Sequence, residues 1–240
     1  MPEKDQNTLV QALFKVGAHF GFSRSRRHAT MKSFVFGSKN KTDILDLTKT
    51  SAVLEEALRF VKGLGTQGKT ILFVGGKPEV QDLLKKAAES VSMPYVAGRW
   101  LGGTLTNFVE IKRRIKMMVE LVANREAGTL AKKYTKKERV MIDREIVRLE
   151  ENFSGLVSLE KLPDALVIVD TRRESIAVKE AILSKTPVVG IMNSDCDVSQ
   201  VLYPVIGNDS SRESVTFFLD QIVEAYREGR KGGEVASPQA

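Results

Sequence analysis

The sequence predicts an α/β protein built on a parallel sheet covered on both faces, and three observations predict it. First, short strands are apolar throughout: Thr70-Ile71-Leu72-Phe73-Val74, Ala165-Leu166-Val167-Ile168-Val169 and Pro187-Val188-Val189-Gly190-Ile191. A strand without polar alternation is buried on both sides, which only a sheet sandwiched by helices provides. Second, these strands alternate with segments of helical period, Glu79–Val91, Glu174–Leu183 and Ser211–Glu228. Third, helix starts are marked. Thr135, Thr171 and Ser210 each precede a Glu by three residues, at 138, 174 and 213, the spacing of a reciprocal capping box.

The elements follow in order. Thr8–Val16 reads as a short helix with Leu9, Ala12, Leu13 and Val16 on one side. Residues 17–37 are rich in Gly, Ser and Arg and read as an irregular arm, with candidate strands at Phe34–Phe36 and Ile44–Leu47. Thr50–Leu64 is helical, ending at Gly63 and Gly65. Gly75-Gly76-Lys77-Pro78 turns the chain from strand into helix, and Pro94–Ala97 is a third short strand.

The rhythm breaks between residues 104 and 153, which contain no strand. Ile111, Ile115, Met118 and Val122 form one stripe, and Ile142, Ile146, Leu149 and Phe153 another. Two such narrow seams, with Ala127-Gly128-Thr129 and the box at Thr135 between them, predict an antiparallel coiled-coil hairpin inserted into the body. The expected organisation is a discontinuous body of residues 1–103 and 154–229, the hairpin, and a disordered polar tail of residues 230–240.

Charge sets the partner class. The 240 residues carry a net +7. Residues 24–41 hold six cations and no acid, and residues 112–144 hold eleven cations and four acids. These two segments total +13, which leaves the rest of the chain at −6. Cations segregated on an otherwise acidic body mark a polyanion partner. Arg24, Arg26, Arg27, Lys32, Lys39 and Lys41 are the expected phosphate contacts of the arm, and Lys112, Arg113 and Lys116 form a ridge on one helix face. Aromatic content is 7%. Scattered cations without a base-stacking motif suit double-stranded RNA better than a single strand.

Between these segments lies Gly98-Arg99-Trp100-Leu101-Gly102-Gly103-Thr104-Leu105-Thr106-Asn107-Phe108, with the only Trp. It reads as a rigid corner between body and hairpin, in which Trp100, Gly102, Gly103 and Asn107 are structural and Arg99 joins the RNA contacts.

Other chemistries fit less well. Gly75-Gly76-Lys77 lacks the further donors and hydroxyl of a phosphate-binding loop, because Pro78 follows. Asp170, Asp195 and Asp197 lie near strand ends, where open α/β sheets bind ligands, but no base or metal cluster accompanies them. Two His and one Cys make a zinc site improbable, and the expectation is no metal and no cofactor. His19 is read as packing under the first helix, and Cys196 has no assigned role. The first residues, Met1-Pro2-Glu3-Lys4-Asp5, lack the layout of a secretory signal, so a cytoplasmic protein is expected. The alternatives to RNA binding are an enzyme for a phosphorylated small molecule near Gly76, Asp170 and Arg172, and a coiled-coil adaptor.

The motifs carry a resemblance. Gly17–Gly21, Arg99–Phe108, Leu162–Leu166, Asp170–Lys179 and Tyr203–Asp209, in this order, resemble the bacterial small-subunit ribosomal protein two family, from about Leu9 to Arg230. The resemblance implies a flavodoxin-like domain with a coiled-coil hairpin, no enzymatic activity, and a place between head and body of the small ribosomal subunit, supporting translation. It implies small-subunit rRNA and neighbouring small-subunit ribosomal proteins as partners, and ribosomal protein one as a docking partner in many bacteria. Three places depart from the family pattern, five residues in all: Phe22 stands where His is frequent, His28-Ala29-Thr30 replaces Trp-Asn-Pro, and Thr171 replaces Pro.

Overall fold

A computed structural model describes residues 3–236. Its centre is a five-stranded, wholly parallel sheet of β4 (Ile71–Val74), β5 (Tyr95–Val96), β6 (Ala165–Val169), β7 (Val188–Met192) and β8 (Tyr203–Ile206), in the order β5-β4-β6-β7-β8. Taken by itself this is the 2-1-3-4-5 order of flavodoxin-like folds, with its reversal between β4 and β6. A second, antiparallel sheet of β1 (Phe20–Ser23), β2 (Val35–Lys39) and β3 (Thr42–Leu45), in the order β1-β3-β2, forms the N-terminal arm.

The period of two along each strand divides the core. Ile71, Phe73, Val167, Val169, Val189 and Ile191 join the helices α2 (Leu47–Thr66), α3 (Pro78–Glu89) and α8 (Arg212–Ala236) on one face. Leu72, Val74, Leu166, Ile168, Val188 and Met192 face the other cluster, with α7 (Ser175–Leu183), α4 (Phe108–Glu126) and α6 (Lys136–Phe153). Strands apolar on both faces are what the sequence pattern requires.

Several expectations change. α1 (Glu3–Lys15) starts earlier than residue 8. β8 was hidden by Pro204, which is tolerated because it lies on the edge strand. The tail does not begin at residue 230, because α8 continues to Ala236; residues 237–240 lie outside the described residues. The reason is the α2–α8 crossing. Gly65 lies against the Tyr226 carbonyl, Gly229 against that of Lys62 and Gly233, a glycine that read as tail, against that of Thr66, so small residues let the two backbones touch.

Of the three capping boxes one forms. Thr135 accepts from Glu138 N while Glu138 accepts from Thr135 N at 2.8 Å. At 171–174 the Glu174 carboxylate instead accepts from Gly76 N at 3.1 Å, and Asp170 Oδ1 accepts from Arg173 N. At 210 the helix begins at Arg212, one residue later than expected, and Asn208 Oδ1 accepts from the N–H groups of Ser210 and Ser211. A tertiary donor outcompetes the local one at the first site, and a different local cap replaces the box at the second.

The 104–153 segment is helical and without a strand, but it has three pieces, because α5 (Thr129–Lys133) lies between α4 and α6. Lys112 Nζ donates to the Glu160 carbonyl, and Arg125 faces Glu150 at 3.7 Å. Later residues of the first limb therefore meet earlier ones of the second, an antiparallel arrangement. Gly128 takes φ +67° just before α5, and Tyr134 and Thr135 are extended just before α6, so the chain between the two long helices breaks at both places that the sequence marks.

Candidate nucleic-acid interface

The arm is not an irregular loop. Met31 is fully buried and Leu45 nearly so, and His28 N donates to Ser194 O at 2.9 Å while Phe22 N donates to Ser194 Oγ at 2.8 Å. These bonds dock the small sheet over the carboxyl ends of the large one. The arm cations then divide by role. Arg27 forks onto Asp43, with Nε–Oδ2 at 2.6 Å and Nη2 on Oδ1, while Ser38 Oγ donates to the same carboxylate. Hydrogen bonding from Arg27 holds the fully buried Asp43 below the usual carboxylate range. Arg26 pairs with Asp195 at 2.9 Å and lies 4.2 Å over the Phe22 ring, yet stays half exposed.

Arg24, Lys32, Lys39 and Lys41 are exposed. Lys39 and Thr42 pair across a two-residue turn whose Asn40 and Lys41 both have positive φ, 51° and 65°. That is the signature of a type I′ hairpin turn. Arg24 N donates to Lys41 O, so Arg24, Lys39 and Lys41 gather at the hairpin tip.

On α4, Lys112, Arg113 and Lys116 are exposed on one side, over the buried seam of Ile111, Ile115 and Met118. Arg113 lies 3.0 Å from Glu110 and Lys116 3.9 Å from Glu120, pairs exposed enough for a polyanion to displace. Among the described residues no hydrogen bond or ion pair joins the α4 cations to those of the arm. Arg99 is exposed at the end of β5.

The Trp100 corner has a centre that the sequence reading missed, Glu180 on α7. Its Oε1 accepts from Trp100 Nε1 at 3.2 Å and Gly103 N at 2.7 Å, and its Oε2 from Leu105 N at 2.9 Å and from both N and Oγ1 of Thr106 at 3.3 Å. Burial alone would raise this carboxyl, but the Leu105, Gly103 and Trp100 donors outweigh it and hold it below its ordinary value. Gly103 takes φ +95°, and Asn107 N donates to its carbonyl at 2.8 Å. The Asn107 side chain makes no capping bond to α4. Trp100 is 4% exposed. The available signal was an acid on the otherwise apolar face of Ala177, Val178 and Ala181.

At the carboxyl edge of the parallel sheet, where open α/β folds take ligands, the chain fills its own crevice. Lys77 Nζ lies 2.8 Å from Asp170 Oδ2 and 3.0 Å from Asp209 Oδ2. Burial opposes charge on Lys77, but the two carboxylates raise its pKa; burial and the nearby Asp170 charge raise that of Asp209. Asp170, at φ +64°, completes this cluster, and the Phe22 ring lies 5.9 Å from the Lys77 ammonium. Asp170, Cys196 and Asp209 bring potential ligand atoms within 4.8 Å of one another. However, the ammonium already supplies the positive charge there, and burial pushes the Cys196 thiol up to about 12, far from a ligating thiolate. His19 is sandwiched by Phe14 (centroids 4.5 Å, 9°) and Phe20 (4.1 Å), and burial lowers its pKa.

Residues 13–229 match the family model described as Ribosomal protein S2. The chain belongs to the ribosomal protein S2 family. It is 41% identical to the small ribosomal subunit protein uS2 of Coprothermobacter proteolyticus over 94% of this chain and 83% of the relative. It is likewise 41% identical to the protein of the same name from Dictyoglomus thermophilum over 92% and 90%, and 40% identical to that of Dictyoglomus turgidum over 92% and 90%. The three departures from the family motifs line one seam: Phe22 under Arg26, His28 capping the following turn by accepting from Thr30 N, and Thr171 beside Arg172.

Proposed function

We propose that the chain is a structural component of the small ribosomal subunit in the cytoplasm. It binds small-subunit rRNA and neighbouring ribosomal proteins between head and body, and so supports translation. The observation that carries this reading is membership of the ribosomal protein S2 family over nearly the whole chain. The distribution of charge supports the RNA contact: Arg24, Lys39 and Lys41 at the hairpin tip of the small sheet, Lys32 in the turn before β2, Lys112, Arg113 and Lys116 on α4, and Arg99 at the corner are all exposed. Arg26 joins them with its open donors, whereas Arg27 chiefly braces the arm through Asp43. The self-filled strand-end crevice supports a scaffold rather than an enzyme for a phosphorylated metabolite.

Protein neighbours suit the base of the hairpin. There Val109 and Val157 are half exposed or more, and Val119 nearly half, beside Lys112, Lys116 and Lys161. Ribosomal protein one is assigned to this class of neighbour.

The test is binding of the full chain to small-subunit rRNA as a function of salt. Phosphate contacts predict a fall of roughly 0.7–0.9 log units in affinity per log unit of salt for each phosphate neutralised. Reversing Arg113 and Lys116 to Glu lowers both affinity and slope while the thermal midpoint stays near wild type. Salt-independent binding would reject the phosphate mechanism, and an unchanged slope in the double variant would remove α4 from it.

A further inference from the structure

Two guanidinium groups converge on one buried carboxylate at the seam between arm and body. Arg26 Nη2, from the turn after β1, and Arg172 Nη1, from the loop after β6, each lie 2.9 Å from the same oxygen, Asp195 Oδ2. The Asp195 side chain is 3% exposed, whereas Arg26 and Arg172 are 51% and 53% exposed. Each fork is thus fixed by one of its donors, and Arg26 is further held by the Phe22 ring at 4.2 Å. Among the described residues no other hydrogen bond engages either guanidinium. Their open N–H groups border a cleft that His28, Thr171 and Ser175 also line.

One further feature of this cleft suits an anion: Ser175 begins α7, whose first turn has no side-chain cap, so the positive end of the helix dipole lies at its wall. The one other carboxylate at the cleft, Asp197, accepts from Ser199 N at 3.0 Å, Ser199 Oγ at 2.7 Å, Gln200 Nε2 at 2.9 Å and, from the arm, Thr30 Oγ1 at 3.2 Å, so its oxygens are engaged by neutral donors.

We infer that the Arg26–Asp195–Arg172 clamp binds a phosphate group. Paired planar forks match phosphate oxygens, and here Asp195 holds both forks in place before the ligand arrives, which removes part of the ordering cost. The phosphate comes from an rRNA phosphodiester or from a free nucleotide or phosphate ion; the first source rests on the RNA-binding reading above. Because one Arg belongs to the arm and the other to the body, the bound phosphate also ties the two together.

The experiment uses the full chain. Arginine Nε–Hε NMR signals are followed while inorganic phosphate is added, and the salt dependence of small-subunit rRNA binding is measured for wild type, Arg172→Gln and Arg172→Lys. Asp195 keeps Arg26 in both variants, and the Lys variant retains the charge while losing the fork. For the RNA source, Arg172→Gln weakens rRNA binding several-fold and reduces the salt slope by roughly 0.7–0.9, Lys restores the slope without the full affinity, and inorganic phosphate leaves the signals in place. For the small-molecule source, inorganic phosphate moves the Arg26 and Arg172 signals in wild type and not in Arg172→Gln, while rRNA slopes coincide. The clamp is overturned if wild type binds rRNA, Arg172→Gln matches it in slope and affinity, and phosphate moves neither signal. If wild type fails to bind rRNA at all, the functional reading falls, and the phosphate titration alone still decides the clamp.

Discussion

Glu180→Gln isolates the Trp100 corner. The side chain keeps its size, but one carboxylate oxygen becomes an NH2 group pointed at donors. If that group replaces Oε2, the N–H groups of Leu105 and Thr106 lose their acceptor; if it replaces Oε1, Trp100 Nε1 and Gly103 N do. In either orientation one buried donor (Leu105 N or Trp100 Nε1) loses its partner at about 1–3 kcal/mol and one half-buried donor (Thr106 N or Gly103 N) at less, a loss of about 1–4 kcal/mol. For a chain of this size 1 kcal/mol moves the thermal midpoint by roughly 2–4 °C, so a fall of roughly 3–15 °C is expected. Trp100 is the only Trp, so its fluorescence reports on the corner directly and should shift to longer wavelength before global unfolding. The wild-type acid limb provides a second reading. The folded pKa of Glu180 is depressed, so its stabilisation is complete above the unfolded carboxyl value of about 4.3 and is lost as pH falls through the folded value. Glu180→Gln should therefore flatten that limb. A variant with unchanged emission and a midpoint within about 2 °C of wild type would refute the claim that Glu180 organises the corner.

Three further outcomes follow from local geometry. Lys41→Gly relieves a left-handed residue at the β2–β3 turn, and strain relief of about 1–2 kcal/mol against an entropic cost of about 0.5–1 kcal/mol gives net stabilisation in a urea titration; a lower midpoint would mean the Lys41 side chain holds the turn. Gly229→Ala gains about 1 kcal/mol of helix propensity but drives a Cβ into the Lys62 carbonyl, where overpacking costs about 1–3 kcal/mol or more, so the urea midpoint falls; a rise would show that α2 and α8 can separate freely. Cys196, fully buried with its thiol pushed up to about 12, should resist a thiol reagent at pH 8 and react as one thiol in urea; rapid labelling of the native chain would contradict its burial.

Much of the body was legible in the sequence because its signals are local. Ala165–Val169 is apolar at every position and is β6 to the residue, since a doubly covered strand has no polar face to offer. The Thr135 box formed because nothing competes at an exposed helix start. Where a buried tertiary donor was at hand the local pattern lost: Glu174 turned to Gly76 N, although Thr171 stood at the right spacing. The basic arm read as irregular because Gly, Ser and Arg carry no periodicity, and its order comes from Ser194 and Asp43.

The sequence by itself determined most strands of the parallel sheet and the long helices, the family, and where cations concentrate, for these depend on composition and spacing along one chain. Only the tertiary structure decided which cations stay available to a polyanion. A charge is spent or free according to the carboxylate that folding brings to it, and Arg27 and Asp43, Lys77 and Asp209, or Arg26 and Asp195 meet across 16, 132 and 169 positions of chain, a separation that no local pattern encodes.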